Sequence, residues 1–189
     1  AGMTLSASGG VNTAFLDGNV YLMTQRNDRT HVPIRGTAHI QYDFPNDVFS
    51  GLFDMYVSIG SGGMVTGTGA NDLAGQAELL ITPDTWHFFV GTPQTPIGLD
   101  FRGIFTTQAY FMVGEDLPSP LPPQNPAVQA IIPANYYIPM DLGNASGIAF
   151  GARGDVSDTL KYYLLRMRYG AGVGLDMAFT NASSMACPG

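Results

Sequence analysis

Strict two-residue alternation over residues 163–179 is the feature that most constrains the fold of this chain. Every odd position in the stretch is apolar, and the even positions from 166 to 176 hold arginine, glycine or aspartate. Successive side chains of a β-strand point to opposite faces, so the pattern predicts one long strand with one apolar face. Glycines at 170, 172 and 174 leave the other face nearly bare, which lets a sheet curve or a neighbour approach. We expect the apolar face to be buried throughout.

The same alternation recurs along the chain and predicts an all-β protein of eight to ten strands. Residues 36–44 and 52–59 read as one antiparallel hairpin, and residues 77–81 and 86–91 read as a second. The other predicted strands cover residues 96–101, 104–114 and 147–156. Residues 61–72 are predicted as a flexible loop, and turns are predicted at 17–19, 27–28, 71–72 and 157–159. The predicted fold is a long-stranded, twisted antiparallel sheet, meander-like or sandwich-like, with little helix.

A proline-rich excursion interrupts this pattern. Six prolines lie between Pro118 and Pro133, and proline lacks the N–H that a central strand needs. We therefore predict a loop insertion over residues 115–140 within a single β domain spanning residues 1–189. We expect this domain to be a fragment of a larger chain.

Charge and hydropathy exclude several classes of function. The net charge is −7, and the eight Lys and Arg residues form no cluster, which argues against nucleic acid as a partner. No apolar run reaches the ~18 residues of a transmembrane helix. Charged residues make up only 12% of the chain, a low share that is typical of extracellular β-proteins and of outer-membrane barrels. The expected partners are other segments of a larger chain or neighbouring subunits.

Candidate metal ligands are few. His31, His39 and His87 lack the spacing of zinc ligands on one element, and His39 is predicted on the polar face of its strand. The acidic segments at 17–19 and 71–72 are incomplete as calcium loops. No cofactor is predicted, and calcium is the one ion that these segments leave open.

Candidate catalytic carboxylates are also few. Asp43 and Asp54 lie on the two strands of the first predicted hairpin, where they could approach each other as a pair for glycoside hydrolysis. Solvated residues on a wet face are the simpler interpretation. Glu115 and Asp116 read as a loop feature. Because no complete catalytic set is present, the chain is predicted not to be an enzyme.

Other candidate sites serve binding rather than catalysis. Four aromatic residues are candidates for a glycan platform: Trp86, Tyr110, Tyr136 and Tyr137. The lone cysteine, Cys187, cannot form a bridge within this sequence, so we expect a disulfide to another chain or to sequence downstream. The tripeptide at 153–155 spells an integrin-type motif, which arises often by chance.

The order of short motifs resembles a β-rich domain of very large, uncharacterised exported proteins of Bacteroidota. The motifs are a tryptophan followed by "GTP" and "IGL", then "YFM" before spaced prolines, then a late "GxGxD" strand near a cysteine. The matching residues are Trp86, 91–93, 97–99, 110–112, Pro118, Pro120, Gly172, Gly174, Asp176 and Cys187. The resemblance implies an extracellular or outer cell-surface location, a scaffold-like role without enzymatic residues, and a partner for Cys187.

Three functions remain open on the sequence. The first is a non-enzymatic structural or interaction module of an exported cell-surface protein, which forms a scaffold, an adhesive appendage or an assembly. The second is a small outer-membrane β-barrel, whose strands alternate apolar and polar residues. The third is a secreted domain that binds or cleaves glycans through Asp43, Asp54 and Trp86.

Overall fold

The computed structural model describes residues 1–7, 9–22, 32–119, 142, 145–162 and 165–181. For residues 157–162 and 165–170 it describes the backbone alone. The protein is all-β, as predicted, and its strands form one large antiparallel sheet of eleven strands. The described residues contain a single 3₁₀ turn, Ala70–Asp72, and no helix among them is long and apolar enough to cross a membrane.

The strand boundaries define the sheet. In chain order the strands are β1 (Gly2–Leu5), β2 (Val11–Leu22), β3 (Ile34–Asp43), β4 (Val48–Ile59), β5 (Val65–Gly67), β6 (Leu73–Ile81), β7 (Trp86–Val90), β8 (Ile97–Phe101), β9 (Phe105–Gly114), β10 (Gly147–Tyr162) and β11 (Leu165–Thr180). The predicted hairpins correspond to β3–β4 and β6–β7, which are both antiparallel neighbours.

The eleven strands occupy nine positions in an up-and-down meander. One edge of β4 pairs with β6 along residues 49–56 and then with β5 at residues 58–59. In the same way, one edge of β9 pairs with β8 and then with β7. Hence β5 and β6 are two segments of one interrupted strand, and β7 and β8 are two segments of the next.

The two interruptions, residues 68–72 and 91–96, keep the hydrogen-bonded ladder connected. The Gly91 N–H donates to the Gln76 carbonyl at 2.7 Å, and the Thr68 N–H donates to the Gly98 carbonyl at 3.2 Å. Packing between the segments is close, because a Cβ on Gly75 would lie 2.6 Å from Cγ1 of Ile97. Glycine is therefore required where the interrupted strands meet.

The pairing register assigns each strand residue to one of two faces, because antiparallel partners point to the same side. We call one side the apolar face. Its larger members are Leu16, Val20, Leu22, Ile34, Ile40, Tyr42, Phe49, Phe53, Met55, Val57, Leu79, Ile81, Trp86, Phe88, Val90, Ile97, Leu99, Phe101, Phe105, Phe111, Val113, Ile148, Phe150, Val156, Val173, Leu175, Met177 and Phe179.

We call the opposite side the polar face. Among strand residues with described side chains, it carries all the ionisable acids, arginines and histidines: Asp17, Arg35, His39, Asp43, Asp54, Glu78, His87, Asp100, Arg153, Asp155 and Asp176. His39 lies there as predicted.

The hydrophobic core lies on the polar face. Phe89, Tyr110, Met112 and Ala149 form a buried cluster with two residues from outside the strands, Leu117 and Leu142. The Leu117 N–H donates to the Ala145 carbonyl at 3.3 Å, and the Leu142 N–H donates to Ser119 Oγ at 3.0 Å. Leu117, near the start of the predicted insertion, and Leu142, just beyond its end, thus lie over the polar face, and residues 120–141 fall outside the described part of the chain.

The apolar face of β11 is not buried, contrary to the prediction. Val173 is 79% exposed, and Leu175 and Phe179 are each 59% exposed. The described strands form a single sheet, so no second layer of described strands packs on this side. The glycines of β11 do serve close approach, because the side chains of Asp155 and Arg153 on β10 lie against Gly172 and Gly174.

Three local predictions were wrong in their details. The segment 61–72 includes a strand, β5, and the predicted turn at 157–159 lies within β10. The predicted turn at 17–19 lies inside β2, where Asp17 pairs with His39. In each place, cross-strand pairing overrides the turn preference of Asp, Gly, Asn and Ser.

Candidate functional site

The apolar face is a band about as tall as the hydrocarbon core of a membrane. From Ile34 to Tyr42 on β3 there are eight residue steps, or about 27 Å at ~3.4 Å per residue. The described residues of this face carry no charge, and Thr107 is a rare polar member. Transmembrane β-sheets present an outward apolar band of about 25 Å.

Aromatic residues mark both ends of this band. Tyr42 pairs with Phe49 at one end, and Trp86 follows two strands further along the sheet. At the other end Phe101 pairs with Phe105, with ring centroids 5.6 Å apart. Aromatic girdles at both boundaries are a regular feature of β-sheets that span membranes.

Several described segments outside the strands lie against the polar face. Residues of both strand interruptions line cavities together with polar-face residues: Asp72 lies near Arg35, and Pro96 lies near Gln108 and Tyr110. Gln94 Nε2 also donates to the Ser119 carbonyl at 3.2 Å, which ties the second interruption to the insertion. Residues of both described interruptions therefore lie close to polar-face side chains.

Carboxylates on the polar face are held by neutral donors or by histidine. Asp54 accepts hydrogen bonds from Gln76 Nε2 at 2.7 Å, Thr37 Oγ1 at 3.3 Å and the Tyr56 hydroxyl at 3.5 Å. Asp17 Oδ1 lies 2.7 Å from Nδ1 of His39. This hydrogen bond raises the pKa of His39 above its ordinary value, because it favours the imidazolium.

Tyr110 links three strands on the polar face. Its hydroxyl donates to Asp176 Oδ1 at 2.8 Å, from β9 across β10 to β11. Gly151 on β10 lies between them, and any Cβ there would collide with the Tyr110 ring and the Asp176 carboxylate. Tyr110 is only 6% exposed, so this contact is part of the core.

The candidate aromatic residues do not share one surface. Trp86 lies on the apolar face and is 45% exposed, whereas Tyr110 is buried on the polar face. Tyr136, Tyr137, Cys187 and His31 lie outside the described residues. The structure therefore does not bring Trp86 and Tyr110 together as a platform.

Asp43 and Asp54 do not form a pair. Asp43 lies opposite Val48, six residues from Asp54 along β4, which is about 20 Å. Asp43 instead accepts hydrogen bonds from Asn46 in the following turn. The strands are paired as predicted, but their register keeps the two carboxylates apart.

The remaining ionisable candidates also lie apart. In the described part of the chain, no three His, Cys, Asp or Glu residues gather in a group that could hold a metal ion. His87 stacks on Phe89 with ring centroids 4.1 Å apart, and it lies 3.7 Å from Glu78. Arg153 and Asp155 lie within β10 on the polar face, not at a hairpin turn.

Sequence inspection missed one polar cavity, which lies beside Arg35 and Tyr56 on the polar face. Arg35 lies one residue before the strand predicted over residues 36–44, and its pairing with Tyr56 was not predicted. The opposite wall of the cavity comes from the interruption after β5, which alternation alone does not reveal. Comparison with known proteins adds no assignment, since no family model, curated protein or solved structure matches this chain.

Proposed function

We propose that this chain forms the membrane-facing wall of an exported outer-membrane protein of the β-barrel type. Its apolar face would contact lipid, and its polar face would line the protein interior. The second function that the sequence left open was a small outer-membrane β-barrel, and the present proposal differs from it in making the chain part of a larger barrel. The observation that carries the proposal is the exposed, uncharged band with aromatic ends, opposite a face that bears both the charges and the core.

Energetics support this assignment of the two faces. A soluble protein rarely leaves a continuous apolar patch of more than a few hundred Å² in water. Here Leu16, Phe111 and Phe179, on β2, β9 and β11, are 53%, 40% and 59% exposed, so the patch extends across most of the sheet. Lipid removes the cost of this exposure, while charges on the opposite face stay in a wet or protein-lined interior.

Strand direction bears on how such a wall would close. In a nine-position antiparallel meander, β1 and β11 run in the same direction. An antiparallel closure therefore needs an odd number of additional strands between them, which gives the even total usual for single-chain barrels of the outer membrane. On this proposal the partner of the β11 edge is another strand, in keeping with the expectation of other chain segments or subunits as partners.

The proposal retains most of the sequence-based expectations. It places the protein at the outer cell surface and assigns it a structural or transport role rather than an enzymatic one. The resemblance to exported proteins of Bacteroidota remains a prediction that fits this location.

Two adjacent residues of β4 provide a matched test. Phe53 lies at mid-height on the apolar face and Leu52 on the polar face, with exposures of 38% and 40%. In lipid, a lysine near the midplane costs about 2–4 kcal/mol, whereas a lysine on the interior face costs little. We expect Phe53→Lys to lower the free energy of unfolding by this amount in phospholipid vesicles, and Leu52→Lys to change it by less than ~1 kcal/mol.

The measurement is denaturant unfolding of each variant after refolding into vesicles. Equal effects of the two lysines would overturn the proposal. So would a folded chain that stays soluble without detergent and forms a defined oligomer by light scattering, since a second copy would then cover the apolar face. That result would favour the surface-module function instead.

A further inference from the structure

A polar cavity of about 770 Å³ lies on the polar face at one end of β3 and β4. The residues that matter for its chemistry are Tyr21, Arg35, Tyr56, Ser58, Asn71 and Asp72. A volume of this size is in the range that holds small organic solutes.

Arg35 is the cationic group of this cavity. Its guanidinium carbon lies 4.3 Å from the centroid of the Tyr56 ring, the residue paired with it across the two strands. Among the described residues, no carboxylate oxygen lies within 4.0 Å of Arg35. Stacking engages the face of the guanidinium and leaves its N–H edge for a planar, bidentate acceptor.

The nearest acid on the neighbouring strand does not compete for this edge. Asp54 is paired with Thr37, and this pair lies two residues along the strands from the Arg35–Tyr56 pair. Its two oxygens already accept from Thr37, Gln76 and Tyr56, which are all neutral donors. The Arg35 guanidinium is therefore left for a ligand even on a face rich in carboxylates.

The opposite wall is suited to hydroxyl groups. Ser58 offers a hydroxyl, while Asn71 and Asp72 come from the interruption between β5 and β6. Both Asn71 and Asp72 have positive φ, at 57° and 65°, a conformation that non-glycine residues adopt rarely and that surrounding structure must maintain. Asp72 accepts hydrogen bonds from hydroxyls and would repel a second anionic group on the same ligand.

We propose that this cavity binds a small hydroxylated monocarboxylate, of the sugar-acid class. The carboxylate pairs with the N–H edge of Arg35, and the hydroxyls contact Ser58, Asn71 and Asp72. The site is open to solvent, so its affinity is on the order of 1 mM, as suits a solute that must also leave. This site does not depend on the membrane assignment, because Arg35, Tyr56 and Ser58, which carry its chemistry on β3 and β4, lie on the polar face.

The test is calorimetric titration of the folded 189-residue chain with glucuronate, using glucose as the neutral analogue. We expect glucuronate to bind and glucose to bind at least about tenfold more weakly, because a hydrogen-bonded charge is lost. Arg35→Gln should weaken glucuronate binding by at least about tenfold. Arg35→Lys should restore little of this affinity, because a lysine ammonium cannot make the two parallel hydrogen bonds that a guanidinium makes to a carboxylate.

The matched control is Arg153→Gln, which removes the same charge from the same face on β10. It should leave glucuronate affinity within about twofold. An equal loss of glucuronate affinity in both Gln variants would show that the anion is attracted by the overall charge of the polar face, and it would overturn the proposed site. Equal binding of glucose, or unchanged binding in Arg35→Gln with the β-sheet circular dichroism intact, would overturn it as well. The lysine test on β4 is independent of all these outcomes.

Discussion

The two faces of the sheet are built by the same strands, yet the core cluster of the described residues lies on only one of them. Adjacent residues on β9 illustrate the contrast: Met112 is fully buried on the polar face, whereas Phe111 is 40% exposed on the apolar face. The difference arises because Leu117 and Leu142 pack on the polar side. Alternation therefore separates two faces, but excursions of the chain decide which face becomes the core.

The contrast reverses the usual order in soluble proteins, where the apolar side of an antiparallel sheet packs on the core and the polar side faces water. Here the small core sits among charged residues. On the proposed function, lipid replaces the second layer that a soluble sandwich would need.

The largest expected effect is a loss of stability when a large side chain on the polar face, rather than its neighbour on the apolar face, is truncated to alanine. Met112→Ala leaves a cavity in the core, which should lower the free energy of unfolding by about 2–5 kcal/mol. Phe111→Ala should cost clearly less in detergent micelles, because Phe111 is 40% exposed and lies outside the buried cluster of described residues. Denaturant unfolding of both variants measures this difference. A larger loss of stability in Phe111→Ala than in Met112→Ala would show that the core lies on the apolar face instead.

A smaller effect is expected from filling glycine sites on the two faces of β10. Gly151→Ala crowds the Tyr110–Asp176 contact on the polar face and should cost about 1–3 kcal/mol. In Gly154→Ala, on the apolar face, the nearest atom to the new Cβ is on the edge of the Phe105 ring at 3.3 Å, and this ring can shift. Thermal unfolding compares the two, and equal losses would mean that both faces are equally crowded.

A third prediction concerns the hydrogen bond across β9 to β11. Tyr110→Phe leaves Asp176 without this donor, which should cost about 1–3 kcal/mol. Asp176→Asn keeps an acceptor for the Tyr110 hydroxyl and should cost less. Unfolding in denaturant measures both, and no loss in Tyr110→Phe would show that water replaces the hydroxyl without penalty.

The smallest effect is a pH dependence on the polar face. The hydrogen bond that His39 donates to Asp17 raises the pKa of His39 above its ordinary value, so the stabilising contribution of this bond is complete below the unfolded pKa. The contribution is lost as pH rises through the higher folded pKa. An NMR titration should show the raised pKa of His39, and Asp17→Asn should lower it. A titration unchanged by Asp17→Asn would assign the shift to another group.

Several elements were predictable because short-range pattern and turn chemistry agreed. The β3–β4 and β6–β7 hairpins follow from alternation around Pro-, Asn- and Asp-containing turns, and the polar position of His39 follows from the same alternation. The turns predicted at 17–19 and 157–159 were wrong, since each segment lies within a strand and pairs with a neighbouring strand.

The candidate sites were less predictable than the strands. The distance between Asp43 and Asp54 depends on a register that places Asp43 opposite Val48. The cavity beside Arg35 depends on a strand interruption that returns to the sheet after five residues. Both are set by long-range pairing, which composition and local spacing do not specify.

The sequence by itself determined that this protein is all-β and that its strands have one apolar and one polar side, because side-chain direction alternates along any strand. Only the tertiary structure decided that nine strand positions form a single layer, and that Leu117 and Leu142 pack on the polar side. The reason is physical: alternation is a local property of the backbone, whereas the face that is covered depends on where distant segments return to the sheet.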